Sequence, residues 1–283
     1  MFTFKECQKL LVSGQLDKCS LYLEKALLTS PPPHTHLLIL RAFLFRKRQK
    51  YELALNDLEN AYKSLRGNEK MFSLLSNEKE LASSLSSNTI DDKFMNRTNK
   101  SLPSNLEEEL VSQIGLTYNE MGCFLFSNSK FSEAMTVFSE ALKFRANDFG
   151  IWVNRGDCYK MLGELEKALE NYGKASQLGG KETDIRERMA ECHYKLGVKL
   201  FNKTDYRAAL ENFERMIDHK KDNADYYIMR AKCQEQLHNL KEAFADVQEA
   251  LKIDPNHAQA FQIMKQLNKP VNKFRKSIIQ LPE

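Results

Sequence analysis

A pattern of small residues returns four times in the second half of the chain, with a step of 34 residues. Each copy has Gly or Ala at one position, Ala twelve residues later, and a large aromatic or aliphatic residue four residues after that. In one copy these are Gly197, Ala209 and Phe213. Two helices can cross closely only where both carry small side chains, because a large residue at the crossing overpacks it. The period therefore predicts one helix–turn–helix unit per copy and an all-α fold.

The regular copies occupy a region that starts at residue 105 and ends at residue 257. Its units are 115–148, 149–182, 190–223 and 224–257, with seven extra residues, Thr183–Met189, before the third of them. We expect this insertion to lengthen the first helix of that unit by about two turns, at 3.6 residues per turn. We also expect an unusually long first helix in the unit 115–148. This helix starts near Glu107, before the first residue of the unit, and reaches about Asn128.

The rest of the chain divides around this region. Residues 1–68 contain two weaker copies, in which Cys7 and Cys19, and then Ala42 and Ala54, occupy the small positions. Residues 69–104 break the period and are rich in Ser and Asn, which is typical of a linker or an inserted loop. After the last copy, residues 258–268 predict a single capping helix, and residues 269–283 form a basic tail.

The small, aromatic and Pro positions of these copies resemble the tetratricopeptide repeat. That resemblance implies an α-solenoid of about six helix–turn–helix repeats, and a function as a non-catalytic scaffold for protein–protein interaction. In general character the divergent spacing and the long insert also resemble repeat proteins of cilia and sperm flagella.

The composition excludes several other classes of protein. The 42 basic and 38 acidic residues leave a net charge of +4, which is not enough to indicate a nucleic-acid partner. No apolar run approaches the roughly 18 residues that a membrane-spanning helix needs. The N-terminal residues lack the apolar core of a secretory signal, so we expect reduced cysteines and a cytoplasmic location.

No set of reactive residues has the spacing of a catalytic, cofactor or metal site. The six His form no H-E-x-x-H motif, and the six Cys form no C-x-x-C pair. Gly179-Gly180-Lys181 lacks the spacing of a phosphate-binding loop and predicts the end of a helix between two repeats. The sequence therefore predicts a protein that is not an enzyme and holds neither a cofactor nor a metal.

The candidate site follows from the resemblance. In the family, the first helix of each repeat, helix A, lines the concave face, and its positions 2, 5, 9 and 12 point into a groove. Carried over to this chain, the family positions imply a partly apolar groove for a peptide or helix of a partner protein. Its residues are Ile39, Phe43, Leu116, Asn119, Phe126, Val153, Lys160, Tyr194, Val198, Phe201 and Ile228, together with Asn154 at position 6 of its repeat.

Three alternatives stay open. In the first, the chain itself covers the groove, either with residues 69–104 or with the apolar end of the tail. In the second, the chain is an adaptor for the acidic C-terminus of Hsp70 or Hsp90, although only Asn154 matches that family clamp outright and Glu191 stands where the clamp has Lys. In the third, the basic runs Arg41–Lys50 and Lys265–Lys276 bind an acidic partner such as tubulin, as in a microtubule-associated or axonemal protein.

Overall fold

Helices joined by short turns make up the part of the chain that the computed structural model describes, which is residue 10 and residues 13–29, 35–66 and 106–267. Those residues contain no β-strand, so the predicted all-α class is confirmed. Cys7, the predicted linker 69–104 and the basic tail 269–283 lie outside the described residues.

The chain divides into two units, with the boundary after Leu162. This boundary lies inside the predicted repeat 149–182, between its first and its second helix. The helices of the first unit are α1 (Leu16–Thr29), α2 (Thr35–Lys47), α3 (Tyr51–Arg66), α4 (Leu106–Ser127), α5 (Phe131–Phe144) and α6 (Phe149–Met161). Those of the second unit are α7 (Leu165–Gln177), α8 (Glu182–Asn202), α9 (Tyr206–His219), α10 (Ala224–Gln236), α11 (Leu240–Ile253) and α12 (258–267).

Close approach of two helices explains why glycine recurs in helix A. A Cβ atom on Gly122 would lie 2.6 Å from Cε1 of Phe138, and one on Gly197 would lie 2.7 Å from Cδ1 of Phe213. Both rings are fully buried, so they cannot move aside without disturbing their own neighbours. The predicted packing reason for the small residue is confirmed in these two repeats.

The turn between the two helices of a repeat has the same backbone geometry each time. Its middle residue, seven positions after the small residue of helix A, has a φ between 57° and 80°. In the six turns this residue is Gly14, Gln49, Ser129, Gly163, Thr204 and His238. Helix B, the second helix, starts two residues later in every case. Its first residue is always large and apolar: Leu16, Tyr51, Phe131, Leu165, Tyr206 and Leu240.

The second repeat packs directly against the third, although residues 67–105 separate their helices in the sequence. Ile39 and Leu58 share one core cluster with Leu110 of α4. The Arg46 side chain, which is buried, donates through Nη1 to Oε1 of Gln113 at 2.6 Å and through Nε to Oε2 of Glu120 at 2.9 Å. Residues 67–105 therefore interrupt the sequence period but not the stacking of the repeats.

Two repeats are held by the same ion pair between their own helices. Arg41 of α2 donates through Nε and Nη2 to the two carboxylate oxygens of Asp57 in α3, both at 2.7 Å. Arg230 of α10 does the same to Asp246 of α11, at 2.9 and 2.6 Å. Both carboxylates are almost fully buried, and a bidentate arginine satisfies each of them.

The second unit contains both special features that the sequence predicts for it. The helix α8 has 21 residues, against 13 in α10, because residues 183–189 extend its N-terminal end as expected. The helix α12 covers the pair α10 and α11: Ala260 and Ile263 join the core cluster of Ile228 and Val247. The predicted capping helix is therefore confirmed.

Candidate functional site

The candidate residues of the first unit fall into buried and half-buried groups. Ile39 is only 4% exposed and belongs to the core, because α4 packs over it, so its assignment to the groove was wrong. Phe43 is half-buried, and its ring lies 6.0 Å from the guanidinium carbon of Arg46 and 5.2 Å from Nζ of Lys47. The apolar residues of α4 and α6 in this group, Leu116, Phe126 and Val153, are also half-buried.

A polar link joins α4 to α6 on this side of the first unit. Nδ2 of Asn154 donates to Oδ1 of Asn119 at 3.1 Å and lies 3.6 Å from Sγ of Cys123. One turn further along α6, Nζ of Lys160 lies 4.0 Å from Oδ1 of Asp157. The structure therefore brings Asn119 and Asn154 together, as a joined pair of amides rather than as part of an apolar surface.

The basic run Arg41–Lys50 is mostly used within the protein. Arg41 binds Asp57 and Arg46 binds Glu120, while Arg48 forms an ion pair with Asp17 of α1. Lys47 and Lys50 are its exposed lysines. The run is thus not the uninterrupted basic surface that the sequence alone shows.

The candidate residues of the second unit centre on a pair of stacked tyrosines. The ring of Tyr194 in α8 lies 6.1 Å from the ring of Tyr226 in α10, with 23° between the two planes. Tyr194 is 36% exposed, whereas Val198 and Phe201 are half-buried and pack against the core around Phe213. Tyr226 is half-buried as well, so Tyr194 is the exposed member of this group.

Ile228 does not belong to this surface. It is 1% exposed and packs in the core cluster that α12 completes, so its assignment to the groove was wrong. The α10 residue beside Tyr194 is instead Tyr226, which the family positions do not select. Burial raises the pKa of Tyr226, so its hydroxyl stays protonated at neutral pH.

Ion pairs border the tyrosine pair. Nζ of Lys195 lies 2.9 Å from Oε1 of Glu191, one turn earlier in α8. Lys220, which follows α9, forms an ion pair with Glu187. Both signs of charge are present, so the border does not select an acidic or a basic ligand. Because Glu191 and Lys195 are paired with each other, Lys195 is not presented alone to a carboxylate.

Two histidines come together in the second unit without forming a reactive centre. The rings of His193 and His219 stack at 5.6 Å with 10° between their planes, and Nδ1 of His193 lies 3.0 Å from Oδ1 of Asn212. Burial lowers the pKa of both imidazoles, so both are neutral at pH 7. Within the described residues no group of three His, Cys, Asp or Glu side chains could hold a metal ion.

The family comparison agrees with this geometry. Models of the tetratricopeptide repeat match residues 149–178 and 194–258, which contain helix pairs, small crossing residues and turns of the kind described above. The two matched segments of the chain are tetratricopeptide repeats. None of the helices within the described ranges is long and apolar enough to cross a membrane.

The curated relatives are named either for tetratricopeptide repeats or for the chaperones Hsp70 and Hsp90. The chain is 29% identical over 163 residues to tetratricopeptide repeat protein 16 of Mus musculus, covering 58% of this chain and 21% of the relative. It is 30% identical over 118 residues to Hsp70-Hsp90 organizing protein 3 of Arabidopsis thaliana, covering 42% of this chain and 20% of that relative. The chain thus spans about a fifth of the length of these relatives.

The chain is also similar to solved structures of other proteins. One of MamA is 21% identical with a TM-score of 0.39, covering 54% of this chain and 85% of that one. The TPR2AB domain of yeast Sti1 in complex with pHSP90 is 17% identical with a TM-score of 0.30, covering 86% of each chain.

Proposed function

We propose that the chain is a non-catalytic protein-interaction scaffold whose second unit binds a peptide or a helix of a partner protein beside Tyr194. The observation that carries this proposal is the exposed ring of Tyr194, which stacks on the half-buried ring of Tyr226. Exposed aromatic rings that neighbours hold in one orientation lose little entropy on binding, which is why Tyr is frequent at the centres of protein interfaces. The named role of the organizing-protein relatives in chaperone assemblies supports a protein partner.

The surface around the pair suits a protein segment better than a small molecule. Val198 and Phe201 continue along α8 as half-buried apolar side chains, and the ring of Phe201 packs edge-on against Tyr206 at 5.2 Å. A helix or an extended segment laid beside α8 would cover the tyrosine rings first and then these two residues. The bordering ion pair Glu191–Lys195 would form part of a polar rim.

The test compares proteins that co-purify with the tagged chain, with Tyr194→Ala and with Leu240→Ala. Leu240 is the matched control, because it is an apolar residue of the same unit, 43% exposed, at the start of α11. Loss of a central tyrosine weakens an interface by about 2 kcal/mol or more, which is roughly a thirtyfold loss of affinity. We expect specific partners to be depleted with Tyr194→Ala and retained with Leu240→Ala. Circular dichroism and thermal unfolding would show that both variants fold.

The same comparison separates the alternatives. Partners that both variants retain would contradict a site at Tyr194. If those partners are Hsp70 and Hsp90, and a peptide that ends in Glu-Glu-Val-Asp binds the wild type but not Asn154→Ala, the chain is a chaperone adaptor. If they are tubulin and release steeply as salt rises, the site lies on basic residues instead. Partners that both variants lose would indicate damage to the fold, and thermal unfolding would detect it.

A further inference from the structure

One face of α12 differs from the same face of the other five helices A that the structure describes. The fourth position of helix A is buried or half-buried wherever a helix B follows; the residues there are Leu38, Tyr118, Trp152, His193 and Tyr227. In α12 this position is Phe261, which is 53% exposed. Helix B covers this position in the third and fifth repeats, where Tyr118 stacks on Phe144 at 5.8 Å and His193 stacks on His219 at 5.6 Å. The exposed ring of Phe261 therefore marks the place where a helix B would pack.

The sequence after α12 has the residue pattern of the turns that lead into a helix B. Counted from residue 258, in step with the 34-residue period, Asn272 falls on the turn position that has a positive φ in all six described repeats. Asn is the residue other than Gly that adopts this conformation most readily. Pro270 stands two residues earlier, where helix A ends in the other repeats, and proline stops a helix there.

The three residues that define the inner face of helix B follow in the same register. Phe274 falls on the first position of helix B, where every described repeat has a large apolar residue. Ser277 falls on the small crossing position, which in the described repeats is Cys19, Ala54, Ala134, Ala168, Ala209 and Ala243. Leu281 falls on the buried position four residues later, which is Leu23, Leu58, Phe138, Tyr172, Phe213 and Val247. Arg275 falls on a position that is exposed in all six.

We propose that residues 270–281 form the turn and the first two turns of helix B of a seventh repeat, and that this segment packs on the Phe261 face of α12. The helix α12 is then both the cover of the pair α10–α11 and the helix A of the next repeat. One position departs from the pattern, because Lys265 stands where the other repeats have Cys, Gly or Ala. Lys265 is exposed, and a lysine stem can lie along an apolar neighbour while its amine stays in water.

Hydrogen exchange on the full chain tests the proposal from the side of the tail. The amides of residues 275–281 should exchange at least about tenfold more slowly than in a synthetic peptide of residues 268–283. Leu281→Asp should abolish this protection, because it places a charge on the inner face. Ile279→Asp is the matched control: its position is exposed in all six described repeats, so the protection should remain. Tail amides that exchange as in the peptide, or equal effects of the two variants, would overturn the proposal.

A second pair of variants tests it from the side of α12. Phe261→Ser should release the tail amides, whereas Gln262→Ser, a change at an exposed neighbour, should not. Unchanged protection of α10 and α11 in both variants would show that the rest of the unit is intact. Protection of the tail that survives Phe261→Ser would refute the docking site. Protection that increases with protein concentration would also refute it, because it would assign the face to a second copy of the chain.

Discussion

Replacing Gly197 with Ala should destabilise the protein, although alanine is the better helix former. The new Cβ would lie 2.7 Å from Cδ1 of Phe213 and closer still to Cε1 of the same ring, which is fully buried. Overpacking of this kind costs about 1–3 kcal/mol, while the change from Gly to Ala within a helix gains about 1 kcal/mol. We therefore expect a net loss of up to about 2 kcal/mol in the free energy of unfolding.

Gly173→Ala provides the matched comparison. Gly173 lies within α7 of the same unit, and apart from its two chain neighbours and the backbone of α7 itself no atom would come within 4 Å of its added Cβ. This variant should gain the full helix-propensity term of about 1 kcal/mol. Because that term is common to both changes, the difference between the two variants isolates the overpacking cost, which we expect to be about 1–3 kcal/mol.

Urea unfolding of the full chain, followed by circular dichroism, measures both variants. A third variant identifies the ring as the cause: in a Phe213→Leu background, Gly197→Ala should cost less than it does in the wild type. If Gly197→Ala stabilises the protein as much as Gly173→Ala does, the close-packing explanation of the repeated small residue is refuted.

Three further outcomes follow from the geometry. Asp246→Ala, which removes both hydrogen-bond acceptors of Arg230, should lower the free energy of unfolding by about 1.5–3 kcal/mol in urea titrations; an unchanged value would contradict a structural role for the pair. Since burial lowers the folded-state pKa of His193 and His219, the unfolded chain binds more protons as the pH falls through about 6.5, so stability should fall from pH 7.5 to 5.5. His219→Gln should reduce that fall, and an equal fall in the variant would be contrary evidence. Burial raises the pKa of Cys158 to about 12, so iodoacetamide at pH 8 should modify it far more slowly in the folded protein than in urea, as peptide mass mapping would show.

The repeats could be predicted from the sequence because their packing is local. Gly197 and Phe213 meet within one helix pair, so the small residue and the ring keep a fixed separation in the sequence. The same reasoning predicted the long α8, because residues inserted before a crossing can only extend the helix that carries it. Because the same contact between neighbouring helices recurs in each unit, the residues that form it repeat with a period that one sequence is enough to show.

The candidate site could be predicted only in part, because exposure depends on what packs next to each repeat. Ile39 and Ile228 occupy groove positions by family register, yet α4 covers the first and α12 accompanies the second in the core. Tyr226 lies one residue after Asp225, which is position 2 of its repeat, so the family positions missed it although its ring stacks on Tyr194. The position of a residue in the repeat determines the side of the helix on which it lies. It does not determine whether a neighbouring element covers that side.

The arginines show where the limit of sequence analysis lies. Arg41 and Arg230 each bind an aspartate sixteen residues later, and a search for opposite charges at a fixed separation within the repeat would have found both pairs. Arg46 binds Glu120, 74 residues away, across the segment 67–105, whose length is not set by the repeat. No period relates those two residues, so the sequence displays Arg46 as one of five charges in a basic run. Whether Arg46 is a surface charge or a buried contact between two repeats therefore follows only from the stacking of the second repeat on the third.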